Sequence, residues 1–411
     1  MGDIEASDLQ KVDLFITGAG YVGLSLAIAV KQAVPELKII VVDAKIGSSG
    51  TDSRASALGI AVVRMFQNLK CWQSICPFAE PIREIIITDS HTRDPVRPVF
   101  LTFAAPFVTG EPFAYMVENR DLNTTLRCRA DELGVLLIEG VRVESFYRKG
   151  QHVCISLENG ICYKSSLLVG ADGVSSKMRE RAGIKIFQRT YDQTAIVCTV
   201  LHERPHNGRA IEHFLENGPF AILPLKGNRS SLVWSERTLD AEHLLSVENT
   251  VFEYELVTRF GYQLGPLQIE TGPFSFPLGL TLAHELIGER FALVGDAAHS
   301  IHPIAGQGLN LGFRDAAILA EVIVDTIRLG LDIGSTVALE RYQGWCRFEN
   351  FRMGLITDVL NRVFSNNLTI MRIMRDIGLG LVDRMPHIKE YLIRQASGLV
   401  KGSPRLFLDS V

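Results

Sequence analysis

The sequence predicts a mixed α/β (α+β) protein built around a nucleotide-binding fold of the Rossmann type. The first observation is a strand, a glycine-rich turn, a helix, a second strand and an acidic residue in succession over 12–43. The second is that a strand-like run followed by glycine and aspartate occurs twice more, at 167–173 and at 291–296. The third is a series of short strand-like runs separated by turns over 191–277. Together they predict a Rossmann-like domain with an inserted antiparallel-sheet domain and a C-terminal helical region.

Length and composition indicate an ordinary globular protein. The 411 residues suffice for two or three domains, and the net charge of −4 gives no electrostatic basis for binding nucleic acid. The seven cysteines are scattered without a Cys-x-x-Cys pair, so we expect reduced thiols. The acidic first residues do not resemble a signal peptide, and no apolar run reaches the roughly 18 residues of a membrane-spanning helix. We therefore expect a cytoplasmic protein without a transmembrane segment.

The first glycine-rich turn carries the features of a dinucleotide site. A strand-like run over 12–16 precedes it, a helical pattern over 24–34 follows, and the next strand, 38–42, ends at an acid. The residues of this motif are Gly18, Gly20, Gly23 and Asp43. The glycines allow a tight turn, the approach of a pyrophosphate and close packing of helix on strand, while the acid accepts hydrogen bonds from ribose hydroxyls. This motif alone does not separate FAD from NAD.

Two further turns repeat the combination of acid and glycine. Asp172 and Gly173 follow one strand-like run, and Gly295 and Asp296 follow another. An Ala-Asp-Gly sequence is also compatible with a simple reverse turn. Arg54 follows a Gly/Ser-rich loop, and we expect it early in a helix, where it is placed to bridge to a phosphate. The alternative for Arg54 is a solvated position on a helix face.

The ordered set of three turns resembles the class A flavoprotein monooxygenases. The resemblance is closer to the family of ubiquinone-biosynthesis hydroxylases, and it runs from about residue 12 to Gly398. The segments that carry it are Arg54-Ala55-Ser56-Ala57-Leu58, Gly218-Pro219-Phe220-Ala221-Ile222-Leu223-Pro224-Leu225, Trp234, His302-Pro303-Ile304-Ala305-Gly306-Gln307-Gly308-Leu309-Asn310-Leu311-Gly312 and Arg314-Asp315. One departure is Asp43, where the wider class more often has glutamate.

The resemblance implies an FAD-dependent hydroxylase. In this family a transiently bound reduced nicotinamide (NADH or NADPH), or a ferredoxin-type donor, reduces the flavin. Dioxygen then adds at C(4a), and one oxygen atom passes from the hydroperoxide to a polyprenylated phenol precursor of ubiquinone. The resemblance also implies an FAD-binding domain (1–78, 103–183 and 284–350), a substrate-binding sheet domain (79–102 and 184–283) and a C-terminal helical region (351–411). The ring position, the tail length, the electron donor and the oligomeric state cannot be read from the residues.

The resemblance also assigns the cofactor contacts. It places the adenosine end of FAD on the first turn, the ribose and phosphate region near Arg54 and Arg120, and the ribityl chain or pyrophosphate near Asp296. The full set of cofactor-binding candidates is Gly18, Gly20, Gly23, Asp43, Arg54, Arg120, Asp172, Gly173, Gly295, Asp296, Gly308, Leu309 and Asn310. The expected flavin-ring loop comprises Pro303, Gly306, Gln307 and Gly308, whose amides at a helix start stabilise an anionic reduced flavin. No residue is assigned as an acid or a base.

The substrate side and the histidines carry weaker signals. The pocket candidates are Phe214, Phe220, Leu223, Trp234 and Pro303, and the alternative for each aromatic is a place in the core. His299 and His302 have the spacing of a metal pair on a helix, but Pro303 and the glycines indicate a loop. Because no third ligand is evident, we expect no metal.

The C-terminal region combines apolar and basic residues. Apolar residues recur at helical spacing from Ile356 to Phe364, and a Met-rich stretch with arginines follows over 368–377. This pattern suits contact with a membrane surface at the inner face or with a ubiquinone-biosynthesis complex, and the alternative is a helix packed on the FAD-binding domain. Two other functions stay open. One is a related flavin monooxygenase acting on another aromatic or isoprenoid substrate, and the other is a flavin-binding scaffold with little turnover.

Overall fold

The computed structural model describes residues 9–47, 54–92, 94, 97–104, 111–303, 306–364, 398 and 402–408. Their arrangement confirms the prediction of a mixed α/β fold. The strands, in chain order, are β1 (Gln10–Thr17), β2 (Ile39–Asp43), β3 (Ala55–Gly59), β4 (Glu80–Ile82), β5 (Glu84–Asp89), β6 (Val99–Ala104), β7 (Ala114–Glu118), β8 (Leu136–Glu139), β9 (Val143–Lys149), β10 (His152–Leu157), β11 (Cys162–Gly170), β12 (Ile186–His202), β13 (Arg209–Leu215), β14 (Gly218–Leu225), β15 (Arg229–Arg237), β16 (Leu267–Ala283), β17 (Ile287–Gly288), β18 (Phe291–Leu293) and β19 (His299–Ser300). The α-helices are α1 (Tyr21–Ala33), α2 (Ile60–Asn68), α3 (Trp72–Ile75), α4 (Asn119–Glu132), α5 (Lys177–Arg181), α6 (Thr238–Ser246), α7 (Asn249–Phe260), α8 (Gln307–Arg328) and α9 (Thr336–Phe364).

The first sheet is largely parallel and forms the centre of the nucleotide-binding fold. Its strands follow the order β17-β18-β11-β1-β2-β8, and β10 and β9 extend it beside β11. β1 pairs in parallel with both β2 and β11, and β18 pairs in parallel with β11. Leu14, Phe15 and Ile16 of β1 are fully buried, as expected for a strand covered on both faces. Because the carboxyl ends of parallel strands meet at one edge, the turns after β1, β11 and β18 lie together.

The second sheet has the strand order β19-β16-β12-β15-β14-β13-β5-β6. All its pairs are antiparallel except β13 with β5. The strand-like runs predicted over 191–277 correspond to β12, β13, β14, β15 and β16. Helices α6 and α7 cover one face of this sheet, where Phe252, Leu256 and Phe260 of α7 join its buried side chains in one apolar cluster. The opposite face is directed at the third sheet.

The third sheet has the order β3-β7-β4 and corrects the expectation for Arg54. Residues 55–59 form strand β3, paired antiparallel with β7, and the helix begins only at Ile60. The small residues of this stretch have no strong helical pattern of their own, so the pairing with β7 decides their conformation. Arg54 therefore stands before a strand. Arg120 lies in the first turn of α4.

Helix α9 confirms the helical pattern expected at 356–364. Toward its C-terminal end, Gly354, Thr357 and Asp358 are buried against the protein, and apolar residues on the other side of the helix are exposed. The exposed apolar residues of α9 include Phe348, Phe351, Leu355, Ile356 and Val359. The expectations for 365–397 fall outside the described residues. Within the described part of the chain, every helix is too short or too polar to cross a membrane.

Candidate active site

A glycine allows the first turn to lie directly against the second. Gly18 has a φ of +103°, and a Cβ at this position would lie 2.2 Å from the carbonyl oxygen of Ala171. Any side chain here would push apart the ends of β1 and β11, so glycine is required at this position. Asp43, at the end of β2, accepts hydrogen bonds from the backbone N–H groups of Ala19 (2.7 Å) and Lys45 (2.8 Å). Its carboxylate thus braces the turn in addition to any contact with a ribose.

The second turn is a capped loop that leads into α5. Asp172 accepts hydrogen bonds from the hydroxyl of Ser176 (2.5 Å) and from the N–H of Met178 (3.1 Å). The buried side chain of Arg179 donates to the carbonyls of Val174 (2.9 Å) and Ala297 (2.8 Å). Arg179 therefore ties the second turn to the third. Sequence reasoning assigned it no role, although an arginine in the helix directly after an acid-and-glycine turn is a signal that identifies it.

The third turn presents an unpaired carboxylate to a cleft. The side chain of Asp296 is exposed although it lies deep within the protein, so it lines a cleft and not the outer surface. Within the described residues it has no hydrogen-bond or ion-pair partner. Burial raises the pKa of Asp296, and the charges of His299 and Arg54 oppose this rise. A carboxylate in this setting is suited to accept hydrogen bonds from the hydroxyls of a bound ligand.

Asp315 of α8 holds the third turn in place through hydrogen bonds. It accepts hydrogen bonds from the N–H of Gly295 (3.0 Å), from Nε2 of His299 (2.5 Å) and from the amide of Asn350 (3.3 Å). Both His299 and Asp315 are almost completely buried. Burial lowers the pKa of His299, but the charge and hydrogen bond of Asp315 outweigh burial and hold that pKa above its usual value. The imidazole of His299 is thus held in an ion pair with Asp315. The described residues contain no group of three side chains that could ligate a metal ion.

The first and third turns meet at Gly312. A Cβ at this position of α8 would lie 2.8 Å from Cγ2 of Val22, which directly precedes Gly23, and 3.2 Å from the Cα of Gly295. Glycine at 312 therefore lets α8 approach both the start of α1 and the loop after β18. The first turn, the third turn and α8 are therefore packed together at this point.

The loop expected at the flavin ring opens α8. Gly306 adopts the left-handed conformation, and α8 begins at Gln307, so the N–H groups of its first turn, including those of Gly308 and Leu309, lack partners within the helix. The side chain of Asn310 is fully engaged with protein. It donates to the carbonyls of Ala57 (2.8 Å) and Gly306 (3.0 Å) and accepts from the N–H of Gly59 (2.8 Å). Asn310 can therefore reach a ligand only through its backbone. Pro303 is exposed beside this loop.

The two candidate arginines lie at neighbouring positions. The N–H of Asn119 donates to the carbonyl of Arg54 (2.8 Å), which places Arg54 next to the start of α4. The guanidinium of Arg54 lies 4.8 Å from the ring centre of Phe276 on β16. Arg120 is largely exposed and approaches Glu118 at 3.5 Å. Arg54 thus lies between the start of α4 and the second sheet, and Arg120 stands beside it on the first turn of α4.

The structure divides the aromatic pocket candidates between two faces of the second sheet. Phe220 and Trp234 are fully buried and pack with Phe252 under helices α6 and α7. Their packing removes both from the pocket candidates and makes them core residues. Leu223 packs in a separate cluster with residues of β3 and β7, on the face directed at the third sheet. Phe214 alternates on β13 with His213 and Leu215, which point into the core under α6 and α7, so it belongs to the same face as Leu223.

Three acid-and-glycine turns at the carboxyl edge of a parallel sheet, faced by an antiparallel sheet, define an FAD-dependent monooxygenase. The family model described as "FAD binding domain" matches residues 11–332, and the chain belongs to this family. The chain is also 40% identical to the ubiquinone hydroxylase UbiL of Rhodospirillum rubrum, over 98% of this chain and 93% of the relative. It is 31% identical to the 3-demethoxyubiquinol 3-hydroxylase of Escherichia coli, over 95% of this chain and 99% of the relative. It is thus a member of the ubiquinone-biosynthesis hydroxylases.

Solved structures show the same fold at much lower sequence identity. The p-nitrophenol 4-monooxygenase PnpA of Pseudomonas putida superimposes with a TM-score of 0.79 at 17% identity, covering 94% of this chain and 98% of that chain. PqsL of Pseudomonas aeruginosa, in complex with 2-aminobenzoylacetate, superimposes with a TM-score of 0.73 at 20% identity, covering 89% of this chain and all of the other. These likenesses confirm the fold class and carry no information on the substrate.

Proposed function

We propose that this monooxygenase hydroxylates the ring of a polyprenylated phenol precursor of ubiquinone, with FAD, dioxygen and a reduced nicotinamide or ferredoxin-type donor. The observation that carries the proposal is that the three turns lie together at the carboxyl edge of the first sheet, where Gly18 and Gly312 allow them to pack closely. The names of the relatives, a ubiquinone hydroxylase and a 3-demethoxyubiquinol 3-hydroxylase, support this substrate class. The division into FAD-binding, substrate-binding and C-terminal regions given by the sequence is part of the proposal.

The residues on and beside the three turns suit an extended FAD. We propose that the first turn and Asp43 hold its adenosine end, that Arg54 and Arg120 border its phosphates, and that Asp296 accepts hydrogen bonds from its ribityl hydroxyls. The unpaired, cleft-lining carboxylate of Asp296 supports this fit. When bound, FAD supplies the redox chemistry with dioxygen. The helix start at Gln307 directs N–H groups and the positive end of the α8 dipole toward the ring, which favours an anionic ring.

The substrate is proposed to lie between the ring loop and the second sheet. Leu223 and Phe214 supply apolar surface on the sheet side, and Pro303 lies on the loop side. Apolar walls on both sides exclude water from the reacting ring, as oxygen transfer requires. A reduced nicotinamide is proposed to visit the site only transiently, because the first turn is the one full dinucleotide fingerprint in the sequence.

The polyprenyl tail suggests contact with a membrane surface. We propose that the C-terminal region provides this contact at the inner face of the membrane, directly or through a biosynthetic complex. The exposed apolar residues Phe348, Phe351 and Leu355 on α9 support it, since they continue toward the apolar and basic stretch that follows.

The proposal is tested with the purified holoprotein. Incubation with reduced nicotinamide, isotope-labelled dioxygen and 2-geranylphenol should give a hydroxylated phenol that carries one labelled oxygen atom. Cells lacking the protein should accumulate a quinone precursor that lacks one hydroxyl group, which mass spectrometry detects. Nicotinamide oxidation that no phenol stimulates, together with normal ubiquinone in the deficient cells, would contradict the proposal and favour a scaffold role.

A further inference from the structure

Glu212 is a carboxylate on the substrate-facing side of the second sheet. On β13 it alternates with Ile211, which packs in the cluster under α6 and α7, and with His213, which stacks on the core residue Phe220. Ala210, two residues earlier, packs instead with Leu223 and with residues of β3 and β7. Because residues two apart on a strand share a face, Glu212 points to the same side as Ala210.

The surroundings of Glu212 are apolar and leave its carboxylate without a partner. The strand neighbours directly beside it are Ala221 on β14 and Ile87 on β5. Within the described residues the carboxylate makes no hydrogen bond or ion pair. It is partly exposed although it lies deep inside the protein, so it faces an internal space. Burial raises the pKa of Glu212 to about 7, and no charged neighbour contributes to the shift.

Contacts place this space beside the ring loop. A Cβ on Gly306 would lie 3.5 Å from the Cβ of Ala57 on β3. Ala57 packs in the same cluster as Ala210, and Glu212 is two residues further along β13, or about 7 Å. One apolar cluster thus links the residue that touches Gly306 to the strand that carries Glu212, on the side of that strand to which Glu212 points.

Other acidic side chains on the elements that face this space either form an ion pair or lie nearer the ends of their strands than Glu212 does. Asp89 of β5 lies on the same side of the sheet as Glu212, beside Phe214 at the strand end. Glu118 of β7 is held by the guanidinium of Arg229 at 3.1 Å. An unpaired carboxylate among apolar groups costs stability, and such groups concentrate at functional sites. The position of Glu212 therefore requires an explanation from function.

We propose that Glu212 accepts the hydroxyl proton of the phenol substrate. This inference rests on the proposed function and adds a catalytic residue to it. As the new C–O bond forms, the phenol O–H bond breaks, its proton passes to a Glu212 oxygen, and its electron pair stays on the phenol oxygen. The added electron density activates the ring carbons ortho and para to that oxygen toward the oxygen atom derived from dioxygen. The O–O bond of the dioxygen-derived group breaks as the C–O bond forms, and its second oxygen atom leaves as water with the two electrons that the reduced donor supplies. The proton of the replaced C–H bond passes to solvent as the ring becomes aromatic again, and Glu212 returns its own proton to solvent.

The test compares Glu212→Gln with wild type in the FAD-loaded protein, using 2-geranylphenol and reduced nicotinamide. Glutamine keeps the shape but cannot take a proton, so kcat for the hydroxylated product should fall about 100-fold or more. KM should change by less than about threefold, because the hydrogen bond to the hydroxyl remains possible. In wild type kcat should rise with pH through about 7, as Glu212 ionises, and this rise should be absent from the variant.

Two further variants make the outcome decisive. Glu212→Asp keeps a carboxylate and should retain the pH-dependent rise at a lower kcat. Glu144→Gln removes an exposed carboxylate of β9 and should match wild type throughout. If Glu212→Gln binds FAD and keeps both the wild-type kcat and its pH profile, the inference is refuted while the proposed function stands. If wild type itself forms no hydroxylated phenol, both the proposed function and the inference fail.

Discussion

The stability of the Glu212→Gln variant should depend on pH in a way that reports the environment of Glu212 directly. Burial raises the pKa of this carboxyl from 4.5 to about 7 in the folded protein. The folded state therefore binds the proton more tightly than the unfolded state. The wild-type protein gains this stabilisation fully below the unfolded pKa and loses it as pH rises from 4.5 through about 7. Glutamine has no proton to lose, so the variant lacks this dependence.

The size of the effect follows from the two pKa values. Their difference corresponds to about 3 kcal/mol, of which about 2.5 kcal/mol falls between about pH 5 and about pH 8.5. The free energy of unfolding of Glu212→Gln, minus that of wild type, should thus increase by this amount over the interval. Other titrating groups cancel in the difference because both proteins contain them.

Urea unfolding of the holoprotein at the two pH values, with FAD in fixed excess, measures this difference. Glu144→Gln serves as the matched control and should show a difference within about 0.5 kcal/mol at both pH values, since its side chain is exposed. A difference for Glu212→Gln that stays constant with pH would show that the carboxyl is solvated, and one that decreases as pH rises would show that its charged form is stabilised by a partner. The placement of Glu212 in an apolar space would then be incorrect.

Three further predictions concern the cradle and the core. Gly312→Ala should lower FAD affinity and destabilise the protein by about 1–3 kcal/mol through overpacking. Gly344→Ala adds a methyl group that meets no neighbour on α9, so it should stabilise the protein by up to about 1 kcal/mol. Calorimetry and flavin titration of the Gly312 and Gly344 variants test both expectations. Asp296→Ala should leave a folded protein with reduced flavin content by absorbance; full flavin content would refute the assigned contact. Glu236→Gln, which weakens the buried pair with Arg259 (3.0 Å), should cost about 3 kcal/mol in urea unfolding, and an unchanged midpoint would contradict this.

The cofactor turns could be predicted from sequence because their requirements are local. Each turn needs a strand, a glycine and an acid within a few residues, and the structure brings all three turns to one edge. Gly18 and Gly312 show why the spacing is informative, since each permits an approach that any side chain would block.

The substrate side could not be predicted in the same way, because it depends on which face of a strand meets which neighbour. Phe220 and Leu223 lie three residues apart on β14 and therefore point to opposite sides, one into the core and one toward the third sheet. The sequence of β13 gives no local sign that Glu212 faces an internal space. Arg54 illustrates a related limit: pairing with β7 makes the next five residues a strand, which no periodicity of their own indicates.

The arrangement around Asp315 has a consequence for how the molecule responds to its surroundings. One carboxylate is shared between the backbone of Gly295 in the cofactor turn and the amide of Asn350 in α9. The outer side of α9 carries the exposed rings of Phe348 and Phe351. Two hydrogen bonds therefore join this helix to the turn that we propose to hold the ribityl chain of the flavin. A partner or surface that displaces α9 from outside is expected to alter the position of that turn.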